Sequence, residues 1–129
     1  MKRSGVLNSA LAGQLAGLGH TNQVLITDAG MPVPAGVPVV DLAFVAGIPR
    51  FAEVVRGVLA ELVIESAVAA TEVKDGNPNV HELLESALPN VRYVPHEELK
   101  RLSANAKLVI RTGEATPYAN VLLRCGVAF

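Results

Sequence analysis

Cysteine is almost missing from this chain. Cys125 is alone among 129 residues, which excludes an internal disulfide and any zinc site built on paired cysteines. Its place in the apolar run NVLLRCGVAF marks it as a small core hydrophobe, and such sparing use is compatible with a reducing, cytoplasmic setting. Charge is scarce as well: Asp, Glu, Lys and Arg make up 18% of the residues, against a usual figure of about 25%. The formal net charge is −1 and the basic residues are scattered, so the footprint of a protein that neutralises several phosphates is missing and nucleic acid is not an expected partner. Hydrophobic residues reach 50%, which leaves apolar surface for subunit contacts to cover, and a homo-oligomer is expected. No apolar run reaches the ~18 residues of a membrane span. The opening MKRSGVLNSALAGQLAG imitates a secretory leader, but Asn8, Ser9 and Gln14 interrupt the apolar core that a leader needs.

The familiar motifs of several enzyme classes are absent too. No GxGxxG follows a strand, the spacing of Gly13, Gly17 and Gly19 does not match one, and no GxxxxGK[ST] occurs, so dinucleotide and P-loop nucleotide binding lose their signatures. His81 and Glu82 open HELLE without the second histidine of a zincin helix, so His81 reads as a solvated helix residue. No serine sits in a GxSxG elbow, and Cys125 has no neighbouring histidine in sequence to activate it.

What is there is a regular alternation of helical and strand patterns. Leu11, Leu15 and Leu18 recur at helical spacing behind Asn8 or Ser9 as N-cap, and the β-branched run Gln23 to Thr27 reads as a buried strand. VPVVDLAF is a second extended segment. Phe51, Val54, Val55, Val58, Leu59 and Leu62 carry the apolar face of a longer helix, with Pro49 in its first turn, and LVIESAVAAT supplies another strand. Asn77 and Pro78 start a helix that Pro89 and Asn90 end. VRYVP is a short strand, His96 to Ala104 a short helix, KLVIRT a strand, and a C-terminal strand runs to Phe129 after the loop GEATPYAN. These elements predict one α/β domain over residues 1–129, a three-layer α/β/α sandwich on a largely parallel, mixed sheet. No repeat, low-complexity tract or linker divides it.

Chemistry-bearing residues fall at the ends of these elements. His20 follows the first helix, and Asp28 ends the first strand ahead of a loop set by Gly30, Pro32, Pro34 and Gly36, so the two are expected to address one edge of the sheet. His96 opens a helix, and Tyr118 and Asn120 lie in the last loop. Each also has a plain structural reading: a helix-dipole partner, an Asx turn, a helix cap, a turn residue.

Taken together, VLNSALAGQLAGLGHTNQVLITDAGMPVP, VRYVPHEELK and IRTGEATPYANVLLRCGVAF resemble the D-ribose pyranase branch of the ribose pyranase and fucose mutarotase superfamily. The likeness runs from Gly5 to Phe129 and is most specific in LGHT, DAGMPVP, GEATPYAN and the CGVAF ending, while Thr71 to Asn90 match only in helical pattern. The resemblance implies an isomerase that interconverts pyranose and furanose rings of D-ribose and supplies the furanose to ribokinase. It implies His20 as proton donor, with Asp28, His96 and Tyr118, Ala119 and Asn120 holding the sugar. It further implies ring-shaped homo-oligomers, commonly decamers, with sites at subunit boundaries. Histidine suits such work because its pKa of about 6.5 lets it give or take a proton near neutrality, and a placed proton-transfer group contributes about 10² to 10⁴ in rate. No redox step or lasting covalent intermediate is needed, so neither cofactor nor metal is expected. An L-fucose mutarotase and a non-catalytic sugar-binding module are the competing readings.

Overall fold

In the computed structural model, which describes residues 1–129, the β-branched run after His20 is the strand β1 (Gln23–Thr27). Val24, Leu25, Ile26 and Thr27 are wholly excluded from solvent, as a strand covered on both faces must be. The other elements in chain order are α1 (Ser9–Ala16), which precedes it, then β2 (Val39–Asp41), α2 (Phe51–Leu59), β3 (Ile64–Ala70), α3 (Val73–Gly76), α4 (Pro78–Ala87), β4 (Val91–Val94), α5 (His96–Leu102), β5 (Leu108–Arg111) and β6 (Val121–Cys125). The strands form one sheet in the order β2-β5-β1-β6-β3-β4. β1, β2 and β5 pair in parallel, as do β3 and β4, and β6 runs antiparallel to both β1 and β3. Five strands therefore point one way and β6 the other, which is the largely parallel, mixed α/β sheet that the alternation predicted.

Side chains alternate across the sheet and divide the core in two. Val24 and Ile26, with Leu108, Ile110, Val121, Leu123, Ala67 and Ala69, meet α1, α2 and α4 through Leu11, Leu15, Phe51, Val55, Val58 and Leu84. Leu25, Val109, Leu122, Ala70 and Val94 face the other way, onto Leu99 of α5, Met31 and Ala106. Each such buried aliphatic or aromatic side chain is worth about 1.5–3 kcal/mol of transfer free energy, so both layers of helices are held by the same strands.

The helix ends follow their local chemistry. Asn8 caps α1, its Oδ1 accepting from Leu11 N–H at 2.9 Å. At the start of α2, Glu53 accepts from Arg50 N–H at 3.1 Å and Glu114 from Phe51 N–H at 3.1 Å, so two carboxylates meet a helix N-terminus. Pro49 lies ahead of the Arg50 cap rather than in the first turn. Asn77 caps α4 with Pro78 just inside, as expected.

Several boundaries are shorter than the residue pattern implies: α1 ends at Ala16 and α2 at Leu59, so Leu18 and Leu62 fall just outside their helices. Only Val39–Asp41 of VPVVDLAF are strand, because Asp41 Oδ1 accepts from Ala43 N–H at 3.0 Å and Phe44 N–H bonds Ile48 O at 3.0 Å, folding the apolar remainder into a tight loop. β6 stops at Cys125, where Gly126 N–H turns to Val63 O and the paired strands end. α5 ends at Leu102 and continues as a 3₁₀ turn over Ser103–Asn105, with Ser103 Oγ donating to Leu99 O at 2.7 Å. The short α3 had no distinct signal in the sequence.

Candidate active site

β1 to β5 deliver their C-terminal ends, and β6 its first residue, to a single edge of the sheet. Asp28, His96, Tyr118 and Asn120 gather there around a cleft of about 400 Å³, which Gly30, Met31, Pro32, Lys100 and Pro117 complete. That volume lies within the usual range for small-molecule sites.

Asp28 is fixed before any ligand arrives. Its Oδ1 accepts from Gly30 N–H at 2.9 Å and from Met31 N–H at 2.8 Å, the Asx turn that the Gly/Pro loop implied. Oδ2 accepts from Asn120 Nδ2 at 3.0 Å, and Asn120 Oδ1 takes the backbone N–H of Asp28 at 2.9 Å. Asn120 is fully buried, so it works from behind Asp28, and a carboxylate with two oxygens keeps capacity on Oδ2 for a further donor. Ala119 is also fully buried and packs into the larger half of the core.

Tyr118 adopts φ of +59°, uncommon for a bulky residue and thus a local cost that its surroundings must offset. Its ring lies against Gly76, where a Cβ would come 2.8 Å from Cδ2, and edge-on to the His96 ring at 5.3 Å between centroids. His96 is the first residue of α5, and its backbone N–H is shared by both carboxylate oxygens of Glu72 at 3.0 and 3.1 Å. Its Nδ1 is buried, and no protein group bonds it. A buried ring nitrogen beside a polar cleft is a costly arrangement unless something else supplies the hydrogen bond. Lys100 was missed in the sequence; its position one helical turn after His96 is the signal that places it on the same face. Its ammonium bonds Glu97 at 2.9 Å.

His20 is not in this cleft. The five residues of β1 separate it from Asp28, and at ~3.3 Å per residue they span about 17 Å. A chain that enters a strand at one edge leaves it at the other, so the expectation that His20 and Asp28 address the same edge is corrected. His20 stands on a turn in which Thr21 takes φ of +69°, Asn22 Oδ1 accepts from Gly19 N–H at 2.7 Å and Thr21 N–H bonds Cys125 O at 2.9 Å. There, at the start of β3, Glu65 accepts from His20 Nε2 at 3.1 Å and pairs with Arg124 Nε at 2.8 Å. The hydrogen bond from His20, together with the charges of His20 and Arg124, holds the Glu65 carboxyl below the usual glutamate range although burial acts against it. A lone carboxylate in a strand otherwise built of Ile, Ser, Ala and Val was the overlooked signal.

Other polar groups lie elsewhere. His81 packs edge-on to Tyr93 of β4 at 5.5 Å and its side chain is 31% exposed, so it is less solvated than the helical pattern implied. Burial, helped by the charge of Glu65, pushes the Cys125 thiol up, which keeps it protonated and suits its core position. A cavity of about 490 Å³ between α2 and α4, lined by Arg50, Arg56, Asn77 and Thr116 among others, holds none of the expected site residues. No cluster of three or more His, Cys, Asp or Glu is placed to hold a metal ion, and no helix is long and apolar enough to cross a membrane.

A model of the RbsD / FucU transport protein family matches residues 1–128. A D-ribose pyranase from Streptomyces avermitilis is 63% identical over 129 residues, covering 100% of both chains. Among solved structures, Bacillus subtilis RbsD complexed with D-ribose aligns with a TM-score of 0.96 at 46% identity, again over 100% of each chain. The fucose mutarotase of Streptococcus pneumoniae in complex with L-fucose aligns with a TM-score of 0.78 at 20% identity over 95% of each chain, a likeness of fold alone.

Proposed function

This chain belongs to the RbsD / FucU transport protein family, and we propose that residues 1–129 act as one catalytic domain that interconverts the pyranose and furanose rings of D-ribose. The observation that carries this reading is the cleft at the C-terminal edge, where Asp28 is held by three hydrogen bonds and the rings of His96 and Tyr118 meet edge-on in the wall. Sugar hydroxyls are both donors and acceptors, so one ring can serve the carboxylate and the imidazole together. The relative that binds D-ribose has nearly the same backbone.

The reaction needs proton transfer only. The anomeric hydroxyl loses its proton, the bond from C1 to the ring oxygen breaks, and that oxygen takes up a proton to leave an open aldehyde. The 4-hydroxyl then adds to C1, giving up its proton as the carbonyl oxygen gains one. His20 is assigned as the general acid that serves the ring oxygen; Asp28, His96 and Tyr118 bind the sugar, and Asn120 orients Asp28. Ala119 serves by spacing Tyr118 from Asn120.

Since His20 and the cleft occupy opposite edges of one sheet, the complete site takes His20 from a neighbouring copy. Exposed apolar side chains support such an assembly: Phe44 is 82% exposed, with Val45 and Ile48 beside it next to the edge strand β2. We take the assembly to be a ring-shaped decamer that works in the cytoplasm ahead of ribokinase. NMR saturation transfer between the ring forms of ribose tests the assignment. His20→Ala is expected to abolish accelerated exchange with the assembly intact, and L-fucose is expected to be the poorer substrate. Parent-like exchange in the variant would remove His20 from the mechanism, and saturable binding without any acceleration in the parent would make the protein a sugar binder.

A further inference from the structure

His20 does not stand alone at its edge of the sheet. Glu65 of β3 lies 3.1 Å from its Nε2, and Arg124 of β6 lies 2.8 Å from the other oxygen of the same carboxylate. The three side chains are partly exposed, at 52% for His20, 38% for Glu65 and 47% for Arg124. They thus form a row at the surface where a second copy can reach them. Backbone contacts hold the row on both sides: Thr21 N–H bonds Cys125 O, next to Arg124, and Asn90 Nδ2 donates to Glu65 O at 3.2 Å.

An ionised carboxylate only accepts hydrogen bonds. Wherever the pair with Glu65 is made, Nε2 of His20 must therefore carry its hydrogen, whether the ring is neutral or protonated. Nδ1 is then the nitrogen that gains and loses a proton. Arg124 holds the second carboxylate oxygen, which limits rotation of Glu65 and keeps its charge in place.

We propose that Glu65, steadied by Arg124, is the positioning residue of this isomerase: it fixes His20 in the Nε2–H tautomer so that Nδ1 is the atom that exchanges a proton with the sugar. The proposal rests on the assignment of His20 as the general acid. Glu65 acts through His20, so it should influence turnover rather than binding.

Histidine-selective 15N NMR on the intact assembly reads the tautomer directly, with three histidines to distinguish and His20→Ala to assign the signal. The neutral His20 of the parent should show hydrogen on Nε2. In Glu65→Gln, whose amide can either accept from or donate to Nε2, that preference should be lost. Ring exchange by the same variant should lose about tenfold to a hundredfold in kcat, less than the ~10²–10⁴ that a whole proton-transfer group contributes, with KM unchanged. Hydrogen on Nδ1 in the parent would overturn the proposal without use of any variant, as would parent-like kcat in Glu65→Gln, or a raised KM at unchanged kcat. Parent-like exchange in His20→Ala would instead refute the general-acid assignment, whatever Glu65→Gln does.

Discussion

The pair Asp28 and Asn120 shows how much of the site is decided by single residues. Neither partner can be spared: Asn120 is fully buried and answers both the backbone N–H and a carboxylate oxygen of Asp28. Asn120→Ala would leave both groups without a partner, and an unpaired group in a buried place costs about 1–3 kcal/mol. Chemical denaturation should record a loss of that size together with a raised KM for ribose, and an unchanged midpoint would show that water replaces the amide freely. Asp28 itself was readable from the sequence, since an aspartate ahead of Gly30 and Pro32 is the pattern of an Asx turn. Its partner was not, because ninety-two positions separate the two and no local pattern encodes a contact of that range.

At the level of elements, helix starts carry the binding loops. Asn77 caps α4 through Val80 N–H, while its Nδ2 reaches Thr116 Oγ1 and Pro117 O, both at 2.8 Å. The backbone N–H of this residue ends the α3 turn on Val73 O, while its side chain begins α4 and anchors the loop that leads into Tyr118. Asn77→Ala is expected to cost about 1 kcal/mol through the cap, seen as a fall of roughly 4 °C in Tm, and to lower affinity for ribose because the loop before Tyr118 loosens. A stable variant with full affinity would show that Tyr118 is held by its own packing on Gly76. The cap was legible because Asn followed by Pro ahead of a 3.6-period apolar face admits few other readings. By contrast VPVVDLAF misleads, since its alternation fits a longer strand but β5 offers a partner for three residues only.

For the molecule as a whole, the separation of His20 from the cleft yields a test of assembly. His20→Ala and Asp28→Ala should each be inactive alone. Mixed subunits should regain activity wherever an intact His20 meets an intact cleft, about one quarter of the boundaries at equal proportions if each boundary joins two copies head to tail. Mixtures that stay inactive after unfolding and reassembly together would show that each copy builds its site from its own residues. Charge makes a second prediction at this scale. Glu65, Glu97 and Glu98 are held below the ordinary glutamate value of 4.5 by His20, Lys100 and Arg101 respectively, with Arg124 adding to the first. Carboxyls lowered in the folded state contribute stability that is present above 4.5 and lost as pH falls through their folded values. Thermal unfolding followed from neutral pH downwards should therefore show Tm steady to about pH 5 and declining below it, by little, because Glu97 and Glu98 pair with Lys100 and Arg101 at the surface.

The sequence by itself determined the short buried strand after His20, the cap and apolar stripe of α4, and the α/β alternation. These follow from local rules, in which a few neighbouring residues choose a backbone conformation and a face. Only the tertiary structure decided that β6 runs against its neighbours and so carries Asn120 to Asp28 and Arg124 to Glu65. It also decided that β1 holds His20 and Asp28 apart. Pairing between distant strands is selected by the burial of whole faces at once, and that sum is taken over the folded molecule, which no stretch of the chain contains.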